Sequence, residues 1–410
     1  MKILHTADWH IGQQFHKRKR YGEFEQFLAW LVDKIKRECF EVLLVAGDIF
    51  DTSTPSNRAQ ELYNNFIADI AKTDCRHVVV TGGNHDSPSL LNAQRNIFKL
   101  LKIHVVGSAE LSPKDEVLLL HDPQGKPELI VCAVPYLRDR DIRKSEAGES
   151  IEAKGKNLME GIRRHYAEVC QEAEKLQKEQ PHWVPIIAMG HLFAAGGSTA
   201  EGDGVRELYV GSLAHVHADL FPSCIDYLAL GHLHSAQKVG GHAHMRYSGS
   251  PLPMSFGEAD QEKEVICVEF IDKQIAIEGL KVPAFQALKR IRGDWEHIFA
   301  EVEKEKQSGS QAFLEVVYTG GEFVDLAMHH QLEKSVEGSA LAILKFDNAR
   351  KKERILSEGA SCASLDDLQP LDVFKSMLEK ESVPDNQHAD LVARFCEMVM
   401  ALNEEDLRQE

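Results

Sequence analysis

No apolar run in this sequence of 410 residues approaches the ~20 positions that a membrane-spanning helix needs. The start, Met1-Lys2-Ile3-Leu4, leads directly into an apolar stretch and leaves no place for a signal peptide. Cys-x-x-Cys is missing. The eight cysteines (39, 75, 132, 170, 224, 267, 362 and 396) are scattered, which predicts reduced thiols of a cytoplasmic protein rather than a disulfide framework. No phosphate loop occurs either. Gly125-Lys126 and Gly155-Lys156 lack the Gly-x-x-x-x-Gly-Lys-Ser/Thr pattern, so this chain is expected to bind no nucleotide. Positive charge is not in excess. A formal charge of −17 argues against broad, unspecific nucleic-acid binding and leaves room only for local basic tracks. Internal repeats and low-complexity tracts are absent, and the length suits two or three domains.

What the chain does have is histidine, 20 in all, placed at the ends of apolar runs. The first run predicts a strand over 1–10 that ends in Asp8-Trp9-His10, where strand alternation would aim Asp8 and His10 at one spot. A helix follows with Phe24, Phe27, Leu28, Leu31, Val32 and Ile35 at helical spacing. The strand at 42–46 ends in Gly47-Asp48-Ile49-Phe50-Asp51. A helix over roughly 57–72 leads to a strand at 77–80 that ends in Gly82-Gly83-Asn84-His85-Asp86. Further strands at 129–134, 184–189 and 227–230 flank a long polar helix at 151–178. The last two of these strands end in Gly190-His191 and Gly231-His232-Leu233-His234. In open α/β sheets, sites form just outside the carboxyl ends of strands. Strands near 244–248 and 264–270 would close a second sheet.

The expected fold class is α/β, a two-sheet sandwich flanked by helices over 1–280. A small α/β unit is expected over 281–348, after the composition changes near Val282-Pro283, and C-terminal helices over 349–410. The stretch from 351 is acidic. One of its helices would carry Leu371, Phe374 and Leu378, the other Leu391, Val392, Phe395, Met398, Val399 and Leu402.

Collected, the strand ends supply Asp8, His10, Asp48, Asn84, His191, His232 and His234, oxygen and nitrogen ligands without a thiolate. Seven are too many for one ion and suit a pair sharing a carboxylate, an arrangement used for phosphoester hydrolysis. The mixture fits Mn, Fe or Zn better than Mg alone. His242-x-His244 copies the ligand spacing but follows Gly240-Gly241 and reads as hairpin surface. His329-His330 reads as a solvated helix face. Two basic groups, Lys17 to Arg20 and Arg138, Arg140, Arg143 and Lys144, could contact phosphates or simply face water.

In this order, Asp-x-His, Gly-Asp-x-x-Asp, Gly-Asn-His-Asp, Gly-His and Gly-His-x-His resemble the calcineurin-like metallophosphoesterases. The stretches 5–12, 46–51, 83–87 and 246–251 resemble their double-strand-break repair nuclease branch. The resemblance implies one ion on Asp8, His10, Asp48 and His234, and another on Asp48, Asn84, His191 and His232. His85 would face the leaving oxygen as a catalytic imidazole, and Asp51 is placed to orient it by accepting its other N–H. It further implies two divalent ions, Mn2+ or Mg2+, and cleavage of single-stranded DNA. Duplex ends and hairpins would be processed with a coiled-coil ATPase partner docked on the C-terminal helices. A homodimer is implied through helices of the catalytic domain, with 23–39 and 57–72 as candidates, and 281–348 would cap the site. A small-molecule phosphodiesterase on the same residues and a catalytically silent binding scaffold are the rival readings.

Overall fold

The computed structural model describes residues 1–142, 151–194, 217–320 and 326–349. Two compact units divide the chain. The first comprises Met1–Arg290 with Gln311–Leu314, and the second Ile291–Ser310 with residues from Glu315 onward. The chain leaves the first unit later than the composition change suggests, because Val282 is still buried in its core.

Two six-stranded sheets face each other in the first unit. One runs Gln274–Lys281, Glu264–Ile271, Lys2–Thr6, Val42–Ala46, His77–Thr81, Ile103–Val106. The last four strands are mutually parallel. The other runs Gln237–Val239, His242–Tyr247, Tyr227–Gly231, Ile186–His191, Pro127–Ala133, Val117–His121. Its four inner strands are also parallel. Ile3, Val42, Leu44 and Val79 from the first sheet pack against Leu129, Val131, Ile187 and Met189 from the second, which makes the middle of the sandwich dry. These strands are apolar on both faces because helices cover the outer sides. Tyr21–Glu38 and Asn57–Ile70 cover one sheet. Leu158, Ile162, Tyr166, Val169 and Ala173 of the Ile151–Lys178 helix cover the other.

Glu264–Ile271 does not close the second sheet as expected. It pairs antiparallel with Lys2–Thr6 in the first. Val265 and Cys267 join the core under the helices while Ile266 and Val268 join the core between the sheets. A strand buried on both faces needs cover on both, and the edge beside Lys2–Thr6 provides it. The helices at 23–39 and 57–72 spend Phe24, Phe27, Leu31, Leu62, Phe66 and Ile70 on this core. His242 is exposed and His244 half-buried on the hairpin that turns at Gly240-Gly241.

Most of a three-stranded sheet, ordered Leu288–Gly293, Phe313–Tyr318, Ala342–Asn348, lies in the second unit, with the helices Trp295–Gln307 and Leu326–Val336. Trp295 stacks on Tyr318 and Phe346 at 4.8 and 5.9 Å between ring centroids, forming its centre. His330 is exposed on the second of these helices. The apolar stripes expected beyond 349 lie outside the described residues.

Candidate metal centre

All seven expected ligands come together at the carboxyl ends of the parallel strands, though not quite as strand alternation predicts. The first strand stops at Thr6, and Asp8 and His10 follow with φ of 52° and 48°. Asp48 and His232 are also left-handed, at 49° and 102°. Non-glycine residues rarely take this conformation, and each instance costs ~1–3 kcal/mol of backbone strain. The surrounding ladder enforces it. Asp8 N–H donates to Gly47 O at 3.1 Å and His10 N–H to Asp48 O at 3.0 Å, zipping the two loops together. The preceding glycines are needed for close approach. A Cβ on Gly83 would stand 2.0 Å from Asp48 Oδ1, and one on Gly47 would stand 2.2 Å from His191 Nδ1.

Of three groups close enough to hold an ion, two consist of expected ligands, Asp8 with His10 and His234, and Asp48 with His191 and His232; the third is His10 with Asp51 and His85. Asp48 lies between the first two, its Oδ2 3.2 Å from His191 Nε2 and 3.6 Å from His10 Nε2. Asn84 Oδ1 lies 2.9 Å from His191 Nε2 and 3.3 Å from His232 Nδ1. The Nε2 atoms of His10 and His234 face each other at 3.2 Å. His191 donates Nδ1–H to Ala46 O at 3.0 Å, which fixes its tautomer and turns Nε2 toward Asp48 and Asn84. Asp8 is held by the His232 N–H at 2.8 Å, and Asp48 by the His85 N–H at 2.9 Å.

The electrostatics fit a cation pair. Burial opposes charge on Asp48, yet the imidazoles of His191, His10 and His85 hold its carboxyl well below the usual range. Burial, with the nearby Asp48, pushes Asp8 up to about 7. Burial also opposes a proton on His10 and His191, but the surrounding carboxylates raise both to about 9. His232 is pushed down to about 3 by burial and by His191, and His234 well below its usual value by burial and by His10. Without ions, the carboxylates are thus balanced by protons on His10 and His191, one in each group. Two carboxylates, four imidazoles and an amide oxygen, all but the amide fully buried, suit divalent metals of borderline hardness.

His85 and Asp51 stand beside the first group. His85 Nδ1–H donates to the Asp51 main-chain oxygen at 2.6 Å. This hydrogen bond runs through the carbonyl, while the Asp51 carboxylate lies 3.4 Å from His10 Nδ1 and forms a close group with His10 and His85, ligand atoms within 4.8 Å of one another. Asp86, in Gly83-Asn84-His85-Asp86, has a part that the motif alone does not assign. Its buried carboxylate accepts the N–H groups of Ile49, Phe50 and Gly83 at 3.1, 3.0 and 2.8 Å. It thus pins the Asp48 loop to the Asn84 loop. Three acceptor contacts inside the peptide frame leave no trace in composition beyond the Asp itself.

Of the basic groups, Arg20 is buried and forks onto Glu23 at 3.0 and 2.6 Å, while Lys17, Arg18 and Lys19 are exposed. Arg138 donates to Asp86 O at 3.3 Å and lies 5.8 Å from the centre of the Tyr136 ring. Tyr136 in turn is 6.4 Å from the His191 ring. The side chain of Arg140, with Arg143 and Lys144, lies outside the described residues. No helix among the described residues is long and apolar enough to cross a membrane.

Comparison with known proteins agrees with this geometry. The calcineurin-like phosphoesterase family matches residues 1–236, and the family described as type 5 capsule protein repressor C-terminal domain matches residues 284–382. The SbcD polypeptide of the SbcCD nuclease of Escherichia coli K12 is 36% identical over 403 residues, covering 96% of this chain and 97% of that protein. Its counterpart in Bacillus subtilis strain 168 is 29% identical over 419 residues and covers all of both chains. The Rhodobacter capsulatus counterpart is 34% identical over 275 residues, 66% of each. The chain belongs to the calcineurin-like phosphoesterases, in the branch of the SbcD nucleases.

Proposed function

We propose that this chain is the two-metal nuclease component of an SbcCD-type complex, cutting DNA phosphodiesters with Mn2+ as the working ion. The observation that carries the reading is the convergence of two three-residue ligand groups with Asp48 between them. Asp8, His10, Asp48 and His234 would hold one ion, and Asp48, Asn84, His191 and His232 the other. When bound, such a pair activates water at neutral pH and draws charge from the phosphoryl oxygens.

The chain's own residues do the rest. His191 is aimed by Ala46 and His10 by the Asp51 carboxylate. With its Nδ1 proton committed to the Asp51 carbonyl, His85 would exchange a proton with the leaving oxygen through Nε2. Arg138, bonded to the carbonyl of Asp86, is placed to meet a backbone phosphate.

By kinship with the SbcD nucleases, the isolated chain is an ATP-independent single-strand endonuclease. With the coiled-coil ATPase SbcC it degrades duplex ends 3′ to 5′ and opens hairpins in recombination, repair and replication. We assign 1–280 to the nuclease domain, 281–348 to a cap over the substrate, and 349–410 to docking on SbcC. The homodimer within that heterotetramer is assigned to Ile97, Leu100 and Leu101, exposed apolar residues on and beside the helix Arg95–Leu100.

The deciding experiment is hydrolysis by the purified chain with Mn2+ on single-stranded DNA, a hairpin and bis-p-nitrophenyl phosphate, beside His85→Gln. The reading requires that the wild type cut DNA, and that the variant bind two ions but cut ~10²–10⁴-fold more slowly. Turnover of the small ester alone, even with SbcC present, would make the chain a small-molecule phosphodiesterase. Fewer than two ions per chain and no hydrolysis would make it a silent scaffold.

A further inference from the structure

The carbonyl oxygen of His234 is gripped from behind. It accepts Ser250 N–H at 3.1 Å and the Lys263 ammonium at 2.9 Å, while the single Ser250 Oγ–H is shared between it, at 3.3 Å, and Leu252 O, at 2.9 Å. Lys263 is 7% exposed and also donates to Ser250 Oγ at 3.1 Å. Its charge is matched by Glu258, whose side chain is 0% exposed and whose other oxygen accepts Met254 N–H at 3.2 Å. Gly249, at φ 73°, lets this turn approach. A Cβ there would stand 2.8 Å from the same His234 oxygen. One residue on, Ser235 Oγ donates to Gln261 at 3.0 Å.

The same segment reaches the other side of the first ligand group. Arg20 donates to Pro253 O at 2.7 Å and Gln13 to Met254 O at 3.3 Å, while Gln13 N–H closes a turn on His10 O at 3.0 Å. Residues 248–263 therefore strap the main chain of His234 to that of His10. His191 and Asn84 have no hydrogen bond to this segment among those described.

A buried lysine–carboxylate pair is a poor way to gain stability. Desolvation of both charges offsets most of their attraction, and apolar residues of similar volume often serve as well. Its use here calls for a reason other than bulk stability. The contacts name one: an ammonium donates in several directions at once, and two of those directions are the His234 carbonyl and the serine that also holds it.

We propose that the Lys263–Glu258 pair is a positioning strut for the ion held by Asp8, His10 and His234, and not for the ion held by Asn84, His191 and His232. The inference rests on the two-ion assignment above. Loss of such outer support typically weakens metal binding ~10–100-fold.

The test is calorimetric titration of the metal-free chain with Mn2+, without substrate. His234→Ala and His191→Ala mark which binding step belongs to which ion. Lys263→Met/Glu258→Leu replaces the pair by apolar groups, and its melting in EDTA reports whether the fold is kept. The proposal expects that variant to lose ~10–100-fold in the step abolished by His234→Ala and nothing in the step abolished by His191→Ala. A folded variant with both steps unchanged, or both weakened alike, overturns it. Should the double variant not fold, Ser250→Ala removes the Oγ that accepts the Lys263 ammonium, loosening the strut without touching a charge. Selective weakening of the His234 step then supports the strut, and no change refutes it. A wild type without two distinct steps brings down the two-ion assignment itself, and the strut with it.

Discussion

Asp51 divides its attention between two histidines, presenting its carbonyl to His85 Nδ1 at 2.6 Å and its carboxylate to His10 Nδ1 at 3.4 Å. Asp51→Asn leaves the carbonyl in place. His85 should keep its tautomer, and turnover at saturating Mn2+ should stay within a few-fold of wild type, whereas Mn2+ affinity should fall ~10-fold as His10 loses its charged support. His85→Gln should do the opposite, keeping both ions and losing ~10²–10⁴-fold in turnover. Metal titration and single-turnover cleavage of the two variants separate these effects.

Asp86→Asn should be costly although Asp86 touches no ligand side chain. An amide has one acceptor oxygen and must turn its NH2 toward a buried N–H of Ile49, Phe50 or Gly83. We expect a loss of about 2–4 kcal/mol in urea unfolding of the metal-free chain. Weaker binding of both ions should accompany it, because the Asp48 and Asn84 loops are no longer pinned together.

The metal-free chain should lose stability as pH rises from 6.5 to about 9. His10 and His191 are raised to about 9 in the fold from an ordinary value of 6.5. The fold therefore binds their protons more tightly than the unfolded chain does. This contribution is complete below 6.5 and vanishes as pH passes about 9. His232 and His234, pushed the other way, are neutral across that window in the fold and largely so when unfolded. Melting temperature in EDTA should fall over this range. With Mn2+ bound it should not, since the ions replace those protons.

The same protons must leave when metal enters. Mn2+ affinity should rise with pH up to about 9, and binding near neutrality should release protons into the buffer. Calorimetry in two buffers of different ionisation enthalpy measures this release directly. Equal heats in both would contradict the assigned proton positions.

Gly83→Ala should abolish binding of both ions, since its Cβ would stand 2.0 Å from Asp48 Oδ1, the carboxylate between the two groups. Gly125→Ala, where nothing crowds the added carbon and the strain is that of the turn alone, should bind Mn2+ as wild type does.

The gathering of the seven candidate ligands is legible because each sits where an apolar run stops, and a polar residue at the buried end of a strand needs a reason. The way the first two ligands converge is not. Asp8-x-His10 fits strand alternation on paper, but the strand stops at Thr6 and two left-handed residues make the turn. The Asp51–His85 pairing is readable as proximity but not in its atoms, since main-chain acceptors carry no residue signature. Glu264–Ile271 is readable as a strand but not in its sheet, because its partner is chosen by which edge offers cover on both faces. Arg20 has the sequence setting of a basic tract, and only its burial and its fork on Glu23 separate it from the exposed residues beside it.

The left-handed backbone at Asp8, His10, Asp48 and His232 has a consequence for how relatives of this chain are to be judged. Aspartate, asparagine and histidine are among the few non-glycine residues that tolerate such angles. They are also the residues that bind hard and borderline metals. Architecture and chemistry thus draw on the same short alphabet. A descendant that had abandoned its ions would still be steered toward these letters by the turns alone. At those four positions, retention of an Asp or a His is weak testimony to catalysis. Asn84, His191 and His234, whose backbone imposes no such filter, are the more informative places to look for a centre that has fallen silent.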